Sequence, residues 1–105
     1  MTKKIRLEFR VLLYPEDGWW IAHCLEMDLP AEGKTPQEAV KNLMSIANVQ
    51  IAAAMDEGNL ESIFSAAPPE LWKMFVNAHD MQLPLRPKVR FECVDSLSVR
   101  VFAAA

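Results

Sequence analysis

The chain predicts an α+β domain: a three- to four-stranded antiparallel sheet with one long helix on one face, followed by a C-terminal helix and strand. Three observations predict it. Residues 4–14 alternate apolar and polar with period two, the signature of a strand with one buried face. Residues 36–57 carry apolar groups at threes and fours behind a proline-headed cap. And 105 residues, about half of them apolar, suffice for one core but not for two domains.

Along the first strand Ile5, Leu7, Phe9, Val11 and Leu13 share one face, with Lys4, Arg6, Glu8 and Arg10 on the other. Pro15-Glu16-Asp17-Gly18 then predicts a turn, since proline donates nothing to a ladder. Trp19 to Leu25, aromatic and β-branched, predicts the second strand of a hairpin. Both of its faces carry large groups, so one tryptophan is expected to be covered by something other than the main core. Leu29 to Gly33 predicts a short third strand that Pro30 confines to an edge or a bulge.

Thr35, Pro36 and Glu38 have the spacing of a capping box with proline at the first helical position, and Gly33 is expected to take a positive-φ turn before it. The helix runs from Pro36 to about Glu57 and closes on Gly58-Asn59. Val40, Leu43, Met44, Ala47, Ile51, Ala54 and Met55 form its main stripe, while Ile46, Val49 and Ala53 fall outside it. A second cover is therefore expected, from this chain or from another subunit. Residues 59–66 suggest one or two further helical turns. A second helix from Pro69 to about Asp80 carries Leu71, Met74, Phe75 and Ala78, with Trp72 and Val76 beside them, and is a candidate for that cover. Residues 83–87 make a proline-stiffened connector. Residues 88–102 form either one long bulged strand or a hairpin turning at Asp95-Ser96, a poor two-residue turn, which favours the single strand. That strand either enters the sheet beside the first or pairs with a second subunit. Unpaired edges and surplus apolar surface predict a homodimer or larger homo-oligomer.

The net charge of −3 is unevenly distributed: residues 1–15 hold +3, residues 16–57 hold −6, and the remainder balances. An acidic middle third disfavours phosphate backbones and favours a basic partner. No apolar run is long enough for a membrane span, and the N-terminus alternates instead of entering an apolar block, so a cytoplasmic protein is expected. Cys24 and Cys93 lack metal or redox spacing and are expected as small buried apolar residues.

Glu16-Asp17-Gly18-Trp19-Trp20-Ile21-Ala22, Asp28-Leu29-Pro30 and the run Gly33 to Leu43 occur in that order. Together they resemble the HicB-like antitoxin domain: an acidic-Gly turn, an aromatic two residues before an alanine, D-L-P, and G-x-T-x-x-E-A-x-x-N opening the helix. The resemblance covers residues 4–57 and leaves 58–105 as a helix-strand extension of the same single domain. Ala31-Glu32 stands where the family usually has Gly-Cys. The resemblance implies a degenerate RNase H-like fold, oligomers, and a protein that binds and silences a small basic RNA-cleaving toxin of the HicA type. Some family members continue into a DNA-binding segment. No such pattern follows Gly58 here, so direct DNA binding is not expected.

Catalysis is not expected either. Two-metal cleavage needs converging carboxylates, whereas the inward positions of the first strand are apolar and the acids of 16–32 crowd turns and a loop. His23 and Cys24 are adjacent on a strand and face opposite ways, so they do not share a metal, and His23 is expected as a half-buried, hydrogen-bonded strand residue. A Cys-His nucleophile pair has no evident orienting group, and no glycine-rich phosphate loop exists. No cofactor or metal is expected. Arg86, Lys88 and Arg90, interleaved with Val89 and Phe91, suit the wet face of a strand better than a nucleic-acid patch. The candidate partner-binding residues are Glu16, Asp17, Trp19, Glu26, Asp28 and Glu32, with the tryptophan as an interface anchor or as packing.

Overall fold

The computed structural model describes residues 7–81 and 94–102. β1 (Leu7–Glu16), β2 (Trp19–Cys24) and β3 (Leu29–Gly33) are followed by α1 (Pro36–Asp56) and a 3-10 turn over Leu60–Ile63. Then come α2 (Pro69–Val76), β4 (His79–Asp80) and β5 (Val94–Val101). The strands form one sheet in the order β3-β2-β1-β5-β4.

The expected antiparallel sheet is mixed. β1–β2, β2–β3 and β4–β5 are antiparallel, but β5 lies beside β1 and runs parallel to it. Period-two alternation says which residues share a face and nothing about strand direction. The 21-residue α1 supplies a crossover of the length that parallel pairing needs. Leu7 pairs with Val94 but Glu8 pairs with Ser96, leaving Asp95 as a bulge. The strand therefore passes through Asp95-Ser96 without a hairpin, while residues 82–93 lie outside the described residues.

The β1–β2 connection is tighter than expected. Glu16 pairs with Trp19, leaving a two-residue turn with Asp17 at φ 52° and Gly18 at φ 83°, both left-handed as a type I′ turn requires. Pro15 is thus inside the ladder, opposite Trp20. Its nitrogen faces away from β2 in that pair, so the missing N–H removes no bond of the hairpin, and the ladder with β5 closes just before it, at Leu13 with Val101.

Thr35, in extended conformation, accepts the Glu38 N–H at 3.0 Å and starts α1. Its end is a Schellman motif: the Asn59 N–H donates to the Ala54 carbonyl at 2.8 Å and that of Gly58 to Met55 at 3.1 Å. Gly33 is not at positive φ. A β-carbon there would lie 2.4 Å from the Ala39 nitrogen and 2.8 Å from the Glu38 carbonyl carbon. Glycine is required because β3 and the first turn of α1 meet backbone to backbone.

Two cores result. Phe9, Val11, Leu13, Ala22, Val40 and Leu43 belong to the larger, between the sheet and α1. Leu12, from the other face of β1, joins Leu25, Ala67 and Phe75 in the smaller, with Leu71 and Trp72 packed against it. α2 thus covers the opposite face of the sheet and not the surplus apolar side of α1, where Ile46 and Val49 stay 41% and 68% exposed. It also ends sooner than expected, because His79–Asp80 pairs with Val101 and Arg100. Among the described residues no helix is long and apolar enough to cross a membrane.

Candidate functional site

Alternation along β1–β3 builds the site on the sheet face opposite α1. Register places Leu12, His23 and Pro30 in one row across the three strands, Tyr14, Ile21 and Glu32 in the next, and Glu16 with Trp19 beyond. The smaller core covers Leu12. The remaining rows stay open and form a groove of about 800 Å³ that wraps the free β3 edge and reaches Asn42, Ser45 and Ile46 of α1.

His23 is 8% exposed and its hydrogen bonds fix it. Asp28, held left-handed at φ 49°, accepts from His23 Nε2 at 2.7 Å. A carboxylate only accepts, so Nε2 carries a hydrogen toward Asp28, and the Tyr14 hydroxyl lies 3.4 Å from Nδ1 on the other side of the ring. The order carboxylate, imidazole, hydroxyl imitates a nucleophile relay, but Tyr14 is shifted the wrong way for one. Burial first, then the charges of Glu16 and Asp28, push its hydroxyl above the usual tyrosine range, away from phenolate. Among the described residues no three His, Cys, Asp or Glu side chains gather as a metal site.

Cys24 faces the larger core, and burial pushes its thiol up to about 11. Folding therefore favours the protonated thiol. That contribution is complete below pH 9.0, the ordinary value, and is lost as pH rises through about 11. In native protein at neutral pH, iodoacetamide is expected to leave the Cys24 peptide unlabelled in a mass-spectrometric digest until denaturant is added. Rapid native labelling would contradict the burial.

The six candidate partner-binding residues divide. Glu16, Asp17 and Glu32 are exposed, and Trp19 is 39% exposed with Lys34 Nζ 5.9 Å from its ring centroid. These four lie at the hairpin turn and along the free edge. Glu26 is engaged internally: one carboxylate oxygen accepts the Arg10 backbone N–H at 2.7 Å, and the other pairs with the Arg10 guanidinium at 2.7 Å. Asp28 is held by His23. Tyr14, Ile21 and Asn42, which sequence reasoning passed over, complete the groove. Tyr14 and Leu12 carried a signal, being large groups on a strand face otherwise charged; Asn42 stood in the G-x-T-x-x-E-A-x-x-N run but was not placed at the site. Its Nδ2 donates to the Glu32 carbonyl at 2.9 Å.

No family model, curated protein or solved structure matches the chain.

Proposed function

We propose that this chain is a non-catalytic protein-binding module, a HicB-like antitoxin that docks a small basic RNA-cleaving toxin on the acidic end of its sheet. The observation that carries this reading is the convergence of Glu16, Asp17, Trp19 and Glu32 at one solvent-facing end, beside an open groove. Complementary charge steers such a partner, and a half-exposed tryptophan supplies an anchor. The edge favours side-chain docking over strand addition. Pro30 has no N–H to give, and the Glu32 carbonyl is already taken by Asn42.

Co-expression with each small basic protein encoded beside this chain tests the proposal. The expected result is a complex that survives size-exclusion chromatography and loses at least about tenfold in affinity in the Glu16→Lys/Asp17→Lys/Trp19→Ala variant. Failure of every neighbouring basic protein to co-purify overturns it. A second reading, a homo-oligomeric scaffold without a toxin, draws on exposed Ile46 and Val49 of α1. It is favoured if the same column yields only a multiple of this chain.

A further inference from the structure

The groove beside β3 selects for one chemistry. Its hydroxyls are already engaged: that of Tyr14 lies 3.4 Å from His23 Nδ1, and that of Ser45 donates to the Lys41 carbonyl at 3.2 Å. Asn42 commits an amide hydrogen to the Glu32 carbonyl. Glu16 and Glu32 add two carboxylates, and neither lysine nor arginine is among the lining residues. What faces the groove is therefore mostly lone pairs and negative charge, which give an anion nothing to hold and a cationic donor several partners. Ile21, Ile46 and Pro30 supply apolar wall for a methylene stem.

We propose that this groove receives an arginine side chain projected by the partner protein. The inference rests on the basic-partner reading above and names its point of contact. Guanidinium suits the groove better than ammonium because it is planar and weakly hydrated, lies flat against an apolar wall such as Ile21 and Ile46, and donates to a carboxylate through two parallel hydrogens. The His23–Asp28 pair takes a positioning role, since His23 Nδ1 lies 3.4 Å from the Tyr14 hydroxyl and fixes where that oxygen stands.

The test titrates the isotope-labelled full chain with N-acetyl-arginine amide and, separately, with N-acetyl-citrulline amide, which keeps the shape and removes the charge. Arginine is expected to shift the amide signals of Tyr14, Ile21, Glu32 and Asn42 in a saturable manner, and citrulline to leave them unmoved. Glu16→Gln/Glu32→Gln is expected to weaken binding about tenfold without altering the remaining signals, because both side chains are exposed. Absent shifts, equal shifts with citrulline, shifts mapping elsewhere or an unaffected double variant overturn the proposal. Arginine binding without any co-purifying basic protein supports the groove and removes the toxin reading. A co-purifying protein without an arginine response does the reverse.

Discussion

Gly33→Ala is expected to cost about 3 kcal/mol or more, visible as a large fall in the urea midpoint or as failure to recover folded protein. The added methyl would stand 2.4 Å from the Ala39 nitrogen, 2.8 Å from the Glu38 carbonyl carbon and 2.9 Å from the Ala39 α-carbon. All three are backbone atoms, so no rotamer relieves the contact. Either β3 leaves β2, to which Gly33 is paired through Trp20, or the first turn of α1 retreats. Retreat would uncover Ala39 and Val40, both fully buried, and pull Glu38 from its cap on Thr35. Gly58→Ala is the control. It sits at φ 68° with nothing within 4 Å of a new β-carbon, so its cost is backbone strain alone, about 1–2 kcal/mol. A Gly33 variant no less stable than the Gly58 variant would show that the helix and edge strand do not meet as described.

That glycine shows where local reasoning stops. The Thr35-Pro36-Glu38 cap, most of the α1 stripe and the Gly58 terminus were legible because each is written within one or two turns of chain, although Met55, expected in the stripe, is 47% exposed. The β1–β2 hairpin and the edge position of β3 were legible for the same reason. What could not be read depends on distant partners. Gly33 looked like a turn glycine because nothing in residues 30–38 reports how closely a helix will approach. β5 runs parallel to β1 because of a connection many residues long, and a period of two is blind to direction. Leu12 broke the polar pattern of its face, a legible anomaly whose cause, Phe75 and Ala67, lies more than fifty residues away.

The candidate site shows the same division. Charge imbalance pointed to the acidic stretch, but it did not separate acids that face water from acids that hold the fold. Glu26 and Asp28 differ from Glu16 and Glu32 only in having Arg10 and His23 across a turn. With those two carboxylates already engaged by Arg10 and His23, the unpaired acidic character narrows to the hairpin turn and the β3 edge. The groove lies there, lined by two carboxylates and by neither lysine nor arginine.

Leu12→Ala is expected to cost about 2–5 kcal/mol and to loosen one side of the molecule before the other. Leu12 is fully buried on the face away from α1, and among the described residues the smaller core holds three other buried members, Leu25, Ala67 and Phe75. A cavity there removes contact from a large share of the residues that attach α2. What remains is mostly polar: Trp72 donates its indole N–H to the Ala67 carbonyl at 3.0 Å, Arg10 lies 5.9 Å from the Trp72 ring, and Arg100 donates to the Phe75 carbonyl at 3.1 Å and lies 4.6 Å from its ring. Amide exchange of residues 71–76 is therefore expected to accelerate well before that of residues 39–54, with tryptophan fluorescence moving toward the solvated value. Leu43→Ala, in the larger core, is expected to accelerate both segments together, because it weakens the contact of α1 with the whole sheet. Equal acceleration in the Leu12 variant would mean that the two cores unfold as one unit. Separate acceleration would leave Tyr14, Ile21 and Glu32 in register on a sheet still backed by α1, so that the arginine response persists while α2 frays.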